Sequence, residues 1–412
     1  MKHSRKLQQE SYDIIIAGAG LSGLTLALEL LRRPAFQAYS VLLIDRDDKQ
    51  HNDRTWCFWA EEHEPLPPVI FKSWRHCDFF GANWQQRMDI SPFRYHQVRG
   101  IDFYRWARQE LARYPKVRRL TATIHNIDGQ SGRVETDAGV FSATWVFNSA
   151  FTRAPVLPPA SASYPHPPFS PESNAPAVPG SIFLLQHFKG WLIETPQPAF
   201  DPEAMTFMDF RIEQAGETRF VYVLPFSETQ ALVEFTVFSP ALLPAPAYDA
   251  ALREYLQGYL NVSDFSLLEE EFGVIPMTDY PFPSRQEGKL FHIGTAGGFV
   301  KASSGYAFKR TQRKVRALVD AWEKNGSPDP AYLRSPWLFR VFDSIFLRVL
   351  ANQNGLGRRI FSDLFRQLPP ALVLRFLDED STFAENLRLV SAPPTRPFLK
   401  ALWQQLPKWR QI

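Results

Sequence analysis

The sequence predicts an α/β protein in which a Rossmann-like dinucleotide-binding domain carries an inserted antiparallel β-sheet and ends in a C-terminal helical region. Three observations support this. Residues 12–31, YDIIIAGAGLSGLTLALELL, join a short apolar strand to a helix-periodic run through a GxGxxG turn. Residues 290–311, LFHIGTAGGFVKASSGYAFKRT, hold a second glycine-rich turn between a strand and a helix. Between the two turns, residues 181–240 read as one strand after another.

The chain has 412 residues, 45% hydrophobic and 22% charged, which suits two or three lobes around a sizeable core and excludes a disordered polymer. A net charge of +3 gives no argument for nucleic acid, and no such partner is expected. Cys57 and Cys77 form no CxxC pair and fit a reducing cytoplasm. With nine scattered histidines, they predict no metal site. Residues 1–11, MKHSRKLQQES, lack an apolar stretch, so no signal peptide is expected. There is also no run of about 18 apolar residues to span a membrane.

The elements follow in order. Ile14–Ile16 make a buried strand, and the turn Gly18-Ala19-Gly20-Leu21-Ser22-Gly23 opens a helix. The first glycine permits the tight turn, the second lets backbone approach a pyrophosphate, and the third lets helix pack on strand. The helix N-terminus then offers N–H groups and a positive dipole end to phosphate. A second strand, YSVLLIDR, ends in Asp45 and Arg46, with Asp45 placed 22 residues beyond Gly23, where an acid can accept from ribose hydroxyls. The chain then runs into DDKQHNDRTWCFW, read as an irregular polar segment ending in aromatics, where a simple dehydrogenase would usually continue its βα alternation. Residues 99–115 predict a helix with Phe103, Trp106, Ala107 and Leu111 on one side and Pro115 as its stop. Residues 133–151 predict two strands around Ala138–Gly139. Nine prolines within 155–179 mark a linker. These signals divide the chain into 1–150, the first part of the nucleotide domain; 151–272, an inserted β-rich substrate domain; 273–330, the second part of the nucleotide domain; and 331–412, a helical region.

The second turn, with Gly294, Thr295, Gly297 and Gly298, is another place where backbone N–H groups can meet a cofactor. Two such turns far apart in sequence suit a large flavin dinucleotide, FAD, clasped at its middle by the later segment.

Within the strand-rich region, ALVEFTVF (231–238) is a strand by composition. Alternation puts Val233, Phe235 and Val237 on one face and Leu232, Glu234, Thr236 and Phe238 on the other. Taken alone, the stretch favours a Glu234 that faces solvent from a half-exposed sheet.

Several blocks, DIIIAGAGLSG, NDRTWCFW, RGIDFYRWA, QHFKGWLIET, MDFR, FVYVLPFSETQALVEFT, GVIPMTDYPFP and IGTAGGFVKASSGYAF, occur in an order that resembles the lycopene cyclase family, the flavin-dependent carotenoid cyclases of the non-transmembrane type. The resemblance continues through the helical tail and covers almost the whole chain. FKGW, LVEFT and SSGYAF are its specific parts. It implies a flavoprotein-monooxygenase-like fold, lycopene and other ψ-end carotenoids as substrates, and closure of their ends to β-ionone rings with no net redox change. It also implies a need for reduced FAD, with NADPH as reductant. Within LVEFT it puts the essential acid at Glu234. The chemistry needs an acid that becomes a base, shelter for a tertiary cation, and no nucleophile to trap it; burial raises a carboxyl's pKa and aromatic faces stabilise cations. Whether Glu234 or a flavin-bound group gives the first proton stays open.

Thr236 shares the face of Glu234, as a hydrogen-bond partner or as plain packing. Asp209 is a second candidate acid or the ion-pair partner of Arg211. Trp56, Phe58 and Trp59 line the substrate end or belong to the core. The chain departs from related flavoproteins at Asn148, Ser149 and Ala150, where Asp-Ser-Arg or Asp-Gly-Arg is frequent. RVFDSIFLRVL and FLKALWQQLPKWRQI mix Leu, Phe and Trp with Lys and Arg, which fits a cytoplasmic protein that contacts the membrane surface. Two rivals remain on the residues alone: a flavin-dependent monooxygenase on the same scaffold, and a non-catalytic carotenoid- or flavin-binding protein.

Overall fold

The computed structural model describes residues 10–150, 180–282 and 288–406. The proline-rich stretch 155–179 lies outside them, as do Lys408, Trp409 and Arg410.

The first sheet runs in the order 117–121, 41–45, 10–17, 139–148, 133–136, 124–128, and Leu290–His292 joins it beside the end of Gly139–Asn148. Ile14, Ile15 and Ile16 are fully buried and pair on one side with Val41, Leu42 and Leu43, and on the other with Trp145, Val146 and Phe147. Such continuous apolar runs are what parallel strands covered on both faces require. Strands 133–136 and 139–148 are the antiparallel pair the sequence predicts. Both glycine turns leave this sheet at the carboxyl ends of parallel strands, where doubly wound sheets bind ligands.

Helix Leu21–Leu31 starts from Gly20 at its N-cap. Helix Gly100–Leu111 buries Phe103, Ala107 and Leu111, while Trp106 is only half-buried. It stops short of the predicted Pro115, because the residue before a proline avoids the helical region and the chain must turn to enter strand Val117–Thr121. The segment read as irregular contains a strand, Thr55–Glu61, in a small sheet with Phe93–Arg99 and Lys72–Trp74.

The second sheet runs in the order 266–278, 183–194, 230–239, 218–225, 204–209, 76–80, 85–89. Its last two strands come from upstream of the strand-rich region, and 76–80 lies parallel to 204–209. One face, with Val233, Phe235 and Val237, packs on Tyr248, Leu252, Tyr255 and Leu256 of helix Ala245–Tyr259. The other, with Leu232 and Phe238, packs toward Phe361 and Phe365 of the C-terminal helices. The pleat read from ALVEFTVF is therefore the observed one. Lys301, fully buried, joins the second turn region to those helices through Asp343 at 2.6 Å.

Gly23 sits where helix Leu21–Leu31 meets the first strand. A Cβ there would lie 1.9 Å from the carbonyl oxygen of Gly18 and 3.0 Å from Cγ2 of Ile16. Ile16 is held in the sheet and Gly18 by its amide on the Ile44 carbonyl, so Gly23→Ala should destabilise the protein by about 1–3 kcal/mol, as overpacking does. Chemical denaturation measures this, and an unchanged midpoint would contradict the close approach.

Candidate active site

A single cavity of about 1170 Å³ connects the first glycine turn to Glu234. Its nucleotide end is walled by Gly18, Gly20, Leu21 and Ser22, by Asp45 and the exposed Arg46, and by Gly294 and Thr295. Four other predicted positions do not reach the wall. The Ala19 amide donates to Oδ2 of Asp45 at 2.6 Å, which fixes the turn on the second strand. Gly23 serves helix packing. At Gly297 a Cβ would come within 2.3 Å of the His292 carbonyl oxygen, so that glycine permits a backbone contact. Gly298 ends the turn at φ +69°, a left-handed conformation. The two turns meet directly: a Cβ on Gly294 would lie 2.8 Å from Oγ of Ser22.

This end fits a dinucleotide. No side chain caps helix Leu21–Leu31, so its first N–H groups have no cap of their own. A Cβ on Gly20 would meet no protein atom within 4 Å, and that empty space lies at the helix N-terminus where a pyrophosphate is held. Asn148 does not face the cavity. It is buried, bonds the His292 ring at 3.1 Å and accepts from the Ala150 amide at 3.2 Å. Ser149 and Ala150 form the wall instead.

At the far end the second sheet presents Glu234. Its strand is an interior one, paired to 183–194 and 218–225, so Gly190 and Tyr222 stand opposite it. Thr236 donates to its Oε1 at 3.1 Å, the hydrogen bond that the shared pleat face allows. Glu271, on the edge strand Ser266–Thr278, lines the same chamber and accepts from Oγ1 of Thr55 at 2.8 Å. Burial pushes the Glu234 carboxyl well above the ordinary carboxylate range, and the charge of Glu271 pushes it the same way. Burial also raises Glu271, while Thr55 pulls it down.

The rest of the chamber is aromatic and free of strong nucleophiles. Tyr95, Tyr222 and Tyr306 line it with Trp56, Phe188 and Leu224. Tyr95 and Tyr306 hydroxyls lie 3.2 Å apart. Burial raises all three phenols and the Cys57 thiol, so they stay neutral. Trp56 is the one member of its trio on the wall. Phe58 stacks on Phe308 with ring centres 4.8 Å apart, and Trp59 is buried with its indole N–H on the Leu374 carbonyl. Asp209 is fully buried and does not reach the cavity. It pairs with Arg211 and accepts from Tyr255 at 2.8 Å.

Sequence reasoning missed Glu271, Thr55 and the tyrosines. Glu271 hides in the run Glu269-Glu270-Glu271, which reads as a solvated edge. The available signal was the glycine of FKGW, a residue a mid-strand position normally avoids.

In three dimensions the chain aligns with a halogenase at a TM-score of 0.56 and 12% identity, covering 97% of this chain and 91% of that one. A geranylgeranyl bacteriochlorophyll reductase-like protein of Thermoplasma acidophilum aligns at 0.54 and 10% identity over 98% of both chains. A flavin-dependent brominase aligns at 0.52 and 12% identity, covering 97% of this chain and 100% of the other. This likeness concerns the fold alone, and the fold is the α/β, flavoprotein-monooxygenase-like class. Sequence identifies the family within that class: residues 13–403 match the profile described as lycopene cyclase protein, and the chain belongs to that family. Lycopene beta-cyclases of Paracoccus sp. and Pantoea ananas are 25% and 23% identical, over 95% and 96% of this chain and 96% and 98% of theirs.

Because the protein leaves Gly20 open, Gly20→Val should fold with an unchanged melting profile yet lose flavin absorbance on purification. Retention of a full complement of flavin would remove this turn from the cofactor site.

Proposed function

We propose that this chain is a lycopene β-cyclase, a cytoplasmic isomerase at the membrane face that closes the ψ end groups of lycopene to β-ionone rings, giving β-carotene by way of γ-carotene. The observation that carries the reading is Glu234, a carboxyl that burial and the neighbouring Glu271 push toward its acid form, at the aromatic end of a cavity that begins at the first glycine turn. Family membership supports the substrate class.

The residues supply the steps. Protonated Glu234 gives its proton to the terminal C=C bond of the ψ end, leaving a tertiary cation and a carboxylate. The neighbouring C=C bond attacks the cation and closes the ring. The carboxylate then takes a proton from the ring, so the proton count returns to its start and no electrons are exchanged. Tyr95, Tyr222, Tyr306 and Trp56 surround the cation with rings rather than with anions that would capture it. Their neutral phenols and the neutral Cys57 thiol fit that need. Gly18, Gly20, Leu21, Ser22, Asp45, Arg46, Gly294 and Thr295 would hold FAD. Bound and reduced, with NADPH as the donor, it would add negative charge beside the chamber.

A long polyene resides in a bilayer, and the C-terminal helices offer a contact. Phe383, Leu387, Leu399 and Trp403 project from helices Phe383–Ser391 and Thr395–Gln405, with Phe383 70% and Trp403 72% exposed. Arg388, Arg396 and Lys400 stand on the same two helices, a mixture suited to an anionic interface. No helix among the described residues is long and apolar enough to cross a membrane.

Two measurements test the reading. Glu234→Gln should keep flavin and fold while cyclisation of lycopene falls by at least ~10²–10⁴-fold, the range for losing a general acid or base. In the same anaerobic assay of the parent, one reduction of the flavin should support many turnovers. NADPH oxidised one for one with product would indicate a redox enzyme instead, and a Gln variant at parental rate would make Glu234 structural. Independently, replacing Phe383, Leu387, Leu399 and Trp403 by Ser should weaken flotation with anionic liposomes and leave flavin content intact. Unchanged flotation would return these helices to an ordinary surface.

A further inference from the structure

The cyclase reading needs one carboxyl in the chamber, yet there are two. Gly190 of strand Phe183–Glu194 is paired with Glu234 on one side and with Glu271 on the other. Residues paired across strands project from the same face, so Glu234, position 190 and Glu271 form a row on the cavity side. Two strand spacings separate the backbones of the two acids, about 10 Å. Only long side chains leaning toward each other over an empty middle position can meet across that gap. Gly190 supplies the empty position: a Cβ there would lie 2.9 Å from Cγ of Glu271 and 3.2 Å from its Oε1.

The outer oxygens are already held. Thr55 donates to Oε2 of Glu271, and Thr236 donates to Oε1 of Glu234. Oε1 of Glu271 is buried and receives no hydrogen bond from any hydroxyl or N–H group among the described residues. A buried acceptor left in this way calls for a donor, and the carboxyl of Glu234 faces it across the empty position at Gly190.

We propose that Glu271 is the proton partner of Glu234: the two carboxyls share one proton across Gly190, with the proton on Glu234 and the charge on Glu271. This rests on the role given to Glu234 above and adds a positioning residue to it. The groups facing the pair support the asymmetry. Thr55 and the Arg54 guanidinium favour the charged form of Glu271, against burial and Glu269. Glu234 has only Thr236 on that side of the balance, against burial and the Glu271 charge. Tyr222 and Cys57 beside them are neutral. Once Glu234 has given its proton to the substrate, two carboxylates face each other in an enclosed site. Like-charge repulsion then favours the return of a proton from the ring. Glu271 neither gains nor loses a proton over the cycle.

The test is Glu271→Gln, which keeps size and hydrogen-bonding capacity and removes the charge. Without the neighbouring anion, Glu234 ionises at lower pH. The alkaline limb of the pH–kcat profile should therefore move toward acid by about one unit or more, a tenfold loss on that limb with little loss below it. The protonated carboxyl band in infrared titration of the flavin-loaded protein without lycopene should move by the same amount, and Glu234→Gln should abolish it. Should Glu271→Gln not fold, Glu271→Asp, which keeps the charge and shortens the reach, is expected to shift both readouts in the same direction. A uniform loss at every pH with an unmoved infrared midpoint overturns the pair. A shifted infrared midpoint in a chain that never cyclises lycopene leaves the pair standing and removes the function.

Discussion

A carboxylic acid that works near neutral pH has to be kept out of bulk water, and on the role proposed for Glu234 the architecture around it serves that constraint. The residue is on the third of seven strands, so neighbouring backbone seals it on both sides. Helix Ala245–Tyr259 covers the back of the sheet, and the C-terminal helices close the front next to the chamber. Thr55 arrives from the small third sheet and covers Glu271, which is nearer the solvent on an edge strand. Three sheets and the helical region thus converge on one chamber, although they come from well-separated parts of the sequence.

The same arrangement explains why the chain returns to its first sheet. Leu290–His292 adds a strand beside Gly139–Asn148 and delivers the second turn against the first, close enough that only glycine fits at 294. From that turn Lys301 and Arg310 run into a buried network with Asp343 and Glu379. Burial acts against the charge on Glu379, but Lys301 and Arg310 outweigh it and hold that carboxyl down at about 2. Such networks contribute little net stability, because desolvation offsets most of the attraction, but they fix geometry. Here the geometry fixed is that of the C-terminal helices relative to the second glycine turn.

What could be read in the sequence was what local chemistry dictates. The strand–turn–helix at 12–31, the hairpin of strands 133–136 and 139–148 and the two faces of 231–238 follow from periodicity and from glycine, and they appear as read. The acids were harder. Asp209 and Glu234 look alike as single acids in apolar strands, and only tertiary placement separates a carboxylate bound to Arg211 and Tyr255 from one facing a cavity. Glu271 needed register. Nothing near it in sequence says that it will stand two strands from Glu234 with a glycine between them. Strands 76–80 and 85–89 joined the second sheet through a parallel pairing with 204–209, a long-range choice without local signature. Gly297 and Gly298 make the turn itself: the one lets the backbone approach His292, and the other ends the turn in a left-handed conformation.

A fold like that of the halogenases can carry a site of its own because its two sheets have separate duties. The first sheet presents both glycine turns at the carboxyl ends of its parallel strands, where doubly wound sheets bind ligands. The second sheet faces the same cavity, and its side chains decide the chemistry. In this chain that sheet spends stability on its choice. A carboxyl whose folded pKa lies above its unfolded value costs nothing below the ordinary carboxylate range, where both states are protonated. Its cost grows as pH rises from there toward the raised value, because the unfolded chain releases the proton first. Glu234 and Glu271 both carry this sign. At neutral pH, therefore, the pair destabilises the sheet that holds it. An apolar pair facing each other over Gly190 would suit packing better. On the proposed function, two acids there are explained by what a protonated carboxyl next to a cation can do, and the empty position between them, with a threonine donor for each, is how the fold tolerates the cost.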